Sequence, residues 1–128
     1  MGVFLIEVSA GFRAGHQLRL SERLGGGVEP LHEHDWKVTV RVADISGTLD
    51  DMQTVTDFHL VEKILHEVVG PWEGKNLNDI PPFDVEVNPT AERVAERIGE
   101  QVNKWLKGVK AVEVRVTEAP GCVAVWRR

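Results

Sequence analysis

The residues best suited to chemistry begin in the stretch Leu31-His32-Glu33-His34-Asp35-Trp36-Lys37-Val38-Thr39-Val40-Arg41-Val42. From Trp36 onward apolar and polar residues alternate, the period of a strand with one buried and one solvated face. His32 and His34 share the parity of the apolar set, so both imidazoles point inward from the strand's entry end. Cβ atoms two residues apart on one strand face lie roughly 7 Å apart, close enough for both rings to hold one ion. Residues 3–16 alternate in the same way, with Phe4, Ile6, Val8, Ala10, Phe12 and Ala14 on one face and His16 on the same parity. In an antiparallel pair the exit end of one strand lies beside the entry end of the other, so His16, His32 and His34 are expected to converge. Three neutral imidazoles with one open position make the arrangement of a catalytic zinc site. Such an ion acts as a Lewis acid on substrate hydroxyl or carbonyl oxygens, and the chemistry then needs a base within hydrogen-bond reach.

Two glutamates are candidates to work beside that ion. Glu29 lies three residues before His32, in the glycine-rich connection Ser21–Pro30, and is either a group beside the metal or a solvated loop residue. Glu118 follows Val112-Glu113-Val114-Arg115-Val116-Thr117, and its parity places it with the apolar Val112, Val114 and Val116. A carboxylate on that face needs donors, and a ligand with two adjacent N–H groups would supply them. The alternative is a residue just beyond the sheet edge, in water.

The elements that must position these groups follow from pattern. A helix begins near Thr56 or Asp57, carries Phe58, Val61, Leu65 and Val68 at helical spacing, and stops at Gly70-Pro71. His59 and His66 are seven residues apart on its solvated face and read as surface histidines. A second helix is expected with Asn88 as cap and Pro89 at its first position. Its apolar stripe is Ala91, Val94, Ala95, Ile98, Val102, Trp105 and Leu106, and Gly108 ends it. The last strand spans Val123–Trp126, after an Ala119-Pro120-Gly121 turn beside which Cys122 is a bystander. The order strand, strand, helix, helix, strand, strand predicts an α+β fold: a four-stranded antiparallel sheet with both helices on one face. Its two open edges call for oligomerisation or cover.

With 128 residues, 42% hydrophobic and 27% charged, the chain is expected to form a single domain over residues 1–128. A net charge of −5 with no basic run argues against nucleic acid as a partner. No apolar run approaches a membrane span, and Met1 leads straight into a strand without a signal-peptide layout. One cysteine excludes an internal disulfide and suits a reducing cytoplasm.

Read together, these segments resemble the 6-pyruvoyl-tetrahydropterin synthase and 6-carboxy-tetrahydropterin synthase family, which has the tunnelling fold. Phe12-Arg13-Ala14-Gly15-His16-Gln17-Leu18 resembles the family's F-x-A-x-H-x-L, and His32-Glu33-His34 its H-G-H. Asp57-Phe58 resembles its D-F, Leu77-Asn78 its L-N, Asn88-Pro89-Thr90-Ala91-Glu92 its N-P-T-x-E, and Thr117-Glu118 its E-T region. The resemblance implies zinc on His16, His32 and His34, Glu118 as anchor of a pterin ring, and Thr90 near the pterin pocket. It also implies trimers paired into hexamers, and a lyase acting on 7,8-dihydroneopterin triphosphate or a related pterin.

The chain departs from that pattern in three places. The family's cysteine before H-G-H is absent, Glu33 replaces the glycine, and Trp72-Glu73-Gly74-Lys75 stands where an Asp-His pair is usual. One subfamily has a glutamate three residues before the first histidine and cleaves the pterin side chain; Glu29-Pro30-Leu31-His32 resembles it, with Glu29 as candidate base. Lys75 or His66 would have to serve the second proton transfer. The alternative expectation is a zinc-containing homologue that binds a different pterin- or purine-like ligand, with another reaction or none.

Overall fold

The computed structural model of the protein describes residues 2–128. Met1, and with it the expectation that it leads directly into a strand, lies outside them. The elements are β1 (Ile6–His16), β2 (His32–Asp44), α1 (Phe58–Val69), β3 (Lys75–Asn76), α2 (Ala91–Trp105), β4 (Val109–Ala119) and β5 (Cys122–Arg127). Val3, Phe4 and Leu5, which continue the alternation of β1 in sequence, are exposed and precede the strand.

The sheet has five strands in the order β3-β1-β2-β4-β5, and this corrects the expected four-stranded antiparallel sheet. The added strand is the two-residue β3, which pairs parallel with Ala14 and Gly15 of β1. Two residues are too short to carry a period, so no alternation in the sequence announces it. The other pairings are antiparallel, and both helices pack on one face. Val8, Phe12 and Ala14 of β1, Trp36, Val38, Val40 and Val42 of β2, and Val114 and Val116 of β4 supply that face with a continuous buried layer.

In β4 a register shift opposite Arg41 and Val42 alters the expected faces. Arg41 pairs with Glu113 and Val42 with Ala111, so Val112 is the extra residue of a bulge. Ala111, rather than Val112, takes the core position and is fully buried. Beyond the bulge the parity read from sequence holds through Val114 and Val116.

The helices are rotated slightly from the expected stripes. In α1 the buried residues are Val61, Ile64, Leu65 and Val69, while Phe58 is half exposed. Asp57 caps it by accepting the His59 backbone N–H. In α2 the buried set is Val94, Ala95, Ile98, Gly99 and Val102, and Trp105 stands in solvent. The cap of α2 is Thr90, whose hydroxyl accepts the Arg93 N–H at 3.1 Å, not Asn88. The helix therefore starts at Ala91, after Pro89.

Gly99 presents its bare backbone to the Trp126 ring of β5, and a Cβ there would overlap the ring atoms. Gly99→Ala is expected to cost about 1–3 kcal/mol, read as a lower urea midpoint with an unchanged slope.

On the face away from the helices, Glu7, Arg41, Glu113 and Arg127 form one rung across four strands, each opposite the next. Glu113 is only 4% exposed, and its carboxylate lies 2.8 Å from Arg127 Nε and 3.1 Å from Arg41 Nε. The Arg127 hydrogen bond, helped by the charges of Arg41 and Arg127, holds this carboxyl below its ordinary range against the opposing effect of burial. A depressed folded-state pKa contributes stability that is present above the unfolded value and lost as pH falls through the folded one. Glu113→Gln is therefore expected to destabilise the protein at pH ~7 and to differ less from the parent at pH ~3, measured by urea unfolding at both.

Candidate metal centre and active site

Strand register brings the histidines together. His16 lies directly opposite His32 in the β1–β2 pairing, and Ala14 opposite His34. The three imidazole centroids are 4.7 Å (His16–His32), 5.1 Å (His16–His34) and 4.7 Å (His32–His34) apart, with rings close to perpendicular. Trp36 backs the cluster, 5.0 Å from His16 and 5.8 Å from His34 between centroids. Its indole N–H donates to the Ala14 carbonyl at 3.1 Å.

Two carbonyls orient the rings. His16 Nδ1 lies 2.8 Å from Pro89 O, and His32 Nδ1 lies 2.9 Å from Pro30 O. A carbonyl only accepts, so both Nδ1 atoms carry protons, and in the neutral rings the Nε2 atoms present lone pairs to the centre. Burial holds the His34 pKa below its ordinary value and favours the neutral ring, against the opposing attraction of the Glu118 carboxylate. The Nε2 atoms of His16 and His34 are buried and have no hydrogen-bond partner among the described residues. Glu118 Oε1 stands 2.8 Å from His16 Nε2 and 3.8 Å from His34 Nε2.

A lone pair facing an anionic oxygen at that distance is repulsive unless a proton or a cation lies between them. One ligand atom from each of His16, His32, His34 and Glu118 lies within 4.8 Å of every other. Neutral imidazoles in fixed tautomers, buried atoms without partners and an adjacent carboxylate fit a divalent metal ion.

Glu29 is placed by the loop rather than by a strand. The connection folds back on itself: Leu20 N donates to Gly27 O, Arg19 bridges Val28, and Glu29 N donates to Leu18 O. One carboxylate oxygen of Glu29 accepts the Leu18 N–H at 3.0 Å and lies 3.8 Å from His32 Nε2. The carboxylate is thus fixed beside the cluster.

Two asparagines hold the segment after His16, a role the sequence did not announce. The Asn78 amide accepts Gln17 N–H at 2.9 Å and donates to Gln17 O at 2.8 Å. Asn88 does the same for Arg19, at 2.9 and 3.0 Å. Each amide mimics a strand partner for one residue. Pattern reading could find these asparagines only as short motifs, because their partners are 61 and 69 residues away.

The other candidates have contacts of their own. Thr90 spends its hydroxyl on the α2 cap, one residue from the carbonyl that orients His16. His59 and His66 are on the exposed face of α1, where His66 Nδ1 donates to Glu62 O. Glu73 accepts the Arg13 backbone N–H at 2.7 Å, and Gly74 N donates to Arg13 O. His66 is not among the residues of the cluster, and Lys75 pairs with Ala14 in β3. Cys122 is exposed.

The sequence pattern of the family described as 6-pyruvoyl tetrahydropterin synthase matches residues 5–128. A protein of Archaeoglobus fulgidus, provisionally named 6-carboxy-5,6,7,8-tetrahydropterin synthase, is 31% identical over 114 residues, covering 89% of this chain and 87% of its own. The 6-carboxy-5,6,7,8-tetrahydropterin synthase of Bacillus subtilis is 29% identical over 109 residues, covering 80% and 71%. In three dimensions the fold is similar to that of Caenorhabditis elegans 6-pyruvoyl tetrahydropterin synthase, with a TM-score of 0.79 at 20% identity over 100% of this chain and 97% of that one. A Plasmodium vivax 6-pyruvoyltetrahydropterin synthase altered at a catalytic glutamate gives 0.77 at 16% identity, covering 100% and 99%. With its sequence matched almost from end to end, and histidines meeting at one point on a sheet of this fold, the chain belongs to the 6-pyruvoyl tetrahydropterin synthase family.

Proposed function

We propose that the protein is a zinc-dependent pterin lyase in which Glu29 is the general base. Its substrate would be 7,8-dihydroneopterin triphosphate or a related pterin with a hydroxylated side chain. The observation that carries this reading is the placement of Glu29, pinned by the Leu18 N–H with its carboxylate 3.8 Å from His32 Nε2. The P. vivax protein, with its catalytic glutamate, supports a carboxylate in this role.

His16, His32 and His34 would hold the zinc. When bound, it supplies Lewis acidity toward a side-chain oxygen of the substrate. Glu118, at the bulge between Thr117 and Ala119, would accept two adjacent N–H groups of the ring and set its orientation. Glu29 would then take the proton of a side-chain hydroxyl. As the O–H bond breaks and the carbonyl forms, the neighbouring C–C bond gives its electron pair to the ring system, and a proton restores the product. Burial of His16 and Trp36 keeps water from one side of this reaction.

A second reading keeps zinc and a fused-ring heterocycle but assigns a different reaction or none. One observation favours it: Glu73, at the position of the family's Asp-His pair, spends a carboxylate oxygen on the Arg13 N–H. No histidine lies beside it in sequence, because Gly74 follows.

The open edges of the sheet support a homo-oligomer, trimer or hexamer. β5 ends the sheet on one side with Val123 and Val125 exposed. On the other side β3 covers only the Ala14–Gly15 end of β1.

Zinc is expected to raise the melting temperature, by an amount that grows with the logarithm of free zinc above its dissociation constant, and His16→Ala to abolish that rise, followed by calorimetry with and without chelator. Glu29→Gln should retain stoichiometric zinc yet lose about 10²–10⁴ of turnover, with products identified by mass. Turnover of no pterin by the zinc-loaded parent, together with stabilisation by a heterocycle that Glu118→Ala removes, would select the second reading.

A further inference from the structure

Glu118 is held by neither strand beside it. The pairing of β4 with β2 stops at Thr117, opposite Lys37, and the pairing with β5 skips from Thr117 to Ala119. Its side chain turns to the histidines, with Oε1 2.8 Å from His16 Nε2 and 3.8 Å from His34 Nε2. The carboxylate also borders a cavity of about 390 Å³, walled by Ala91 and Glu92 at the start of α2 and by Cys122, Val123 and Ala124 of β5. It therefore has open space to turn into. Glu29, the other acidic group beside the cluster, differs on both counts. Its carboxylate is pinned by the Leu18 N–H, and it is outside the set of four ligand atoms that lie within 4.8 Å of one another.

Three imidazoles and one carboxylate make a complete tetrahedral shell for a divalent ion, and a complete shell has no position for a substrate. A catalytic site needs one position open. One of the four donors must then leave, and Glu118 is the one free to do so. His16, by contrast, is fully buried and tied to Pro89 O. Accepting two adjacent N–H groups of a ring takes both oxygens of a carboxylate, side by side along the ring edge. Ion and ring therefore compete for the same Oε1.

Resting on the pterin reading of this site, we propose that Glu118 is the fourth zinc ligand of the substrate-free protein and that ring binding draws it off the ion. The position it vacates is left for a side-chain oxygen of the substrate. A ring without such an oxygen and the zinc oppose each other, and the opposition is reciprocal. A ring that carries the oxygen replaces the ligand it removes. The site thus stays closed until a molecule with both parts arrives.

The test has two arms, both on the full chain. In the first, zinc affinity is measured by competition with a chromogenic chelator for the parent, Glu118→Gln and Glu29→Gln. Glu118→Gln is expected to bind zinc at least about tenfold more weakly, and Glu29→Gln to lose much less although it removes the same charge. In the second, 7,8-dihydropterin, which has no side chain, and 7,8-dihydroneopterin are titrated into the zinc-loaded and the zinc-free parent. Dihydropterin should bind the zinc-free protein about tenfold more tightly than the zinc-loaded one, and dihydroneopterin should show no such handicap. An unchanged zinc affinity in Glu118→Gln, or an equal fall in both variants, overturns the ligand assignment and leaves the pterin reading standing. Dihydropterin binding that is indifferent to zinc overturns the displacement; this arm needs the parent alone and decides the matter should Glu118→Gln not fold. Binding of neither heterocycle in either form overturns the pterin reading and the displacement with it, while the zinc affinities still decide whether Glu118 is a ligand.

Discussion

The pairing of β1 with β2 is the constraint on which the site depends. It places His16 opposite His32 and leaves His34 one step further along the same face. Because side chains alternate with a period of two, a slip by one residue would send His32 and His34 to the polar face and Glu33 toward the core. The register is held by the matching apolar faces of both strands, from Val8 against Val40 to Phe12 against Trp36. The Trp36 indole adds a bond across the pair to Ala14 O. The interaction that secures the core therefore also aims the three imidazoles at one another.

Convergence alone does not make a competent site; the rings must also present the right nitrogen. That is settled by chain segments outside the sheet. Pro89, just before α2, and Pro30, just before β2, offer the carbonyls that take the Nδ1 protons. Asn78 and Asn88 hold the strand's continuation at Gln17 and Arg19, and Arg19 in turn donates to the carbonyls of Phe83 and Val87. The irregular connection between the helices is thus tied to the loop that carries Glu29. The histidine cluster, Glu29 and the loop that carries it form one hydrogen-bonded unit.

The two faces of the sheet serve different ends. Toward the helices it is apolar and closely packed, as Gly99 against Trp126 illustrates. Away from them it carries charge in alternating sign, from the Glu7–Arg41–Glu113–Arg127 rung at one end to Arg13 with Glu33 and Asp35 at the other. At the Arg13 end the two carboxylates outnumber the one guanidinium.

Much of this could be read from the chain before any coordinates. Alternation identified β1, β2 and β4, their parity put His16, His32, His34 and Glu118 on one face, and helical spacing located α1 and α2. These signals are local, and burial of one face imposes them on consecutive residues. Five features required the tertiary structure. The strand β3 is two residues long and exists only as a partner of Ala14 and Gly15. The bulge at Val112 depends on how β4 meets β2. Thr90 rather than Asn88 caps α2, because Asn88 is occupied by Arg19. Glu73 is drawn to the Arg13 N–H across the edge of the sheet. Arg13 itself is claimed by two carboxylates of the facing strand. Each is a contact between segments far apart in the chain, whose free energy depends on geometry that no run of neighbouring residues encodes.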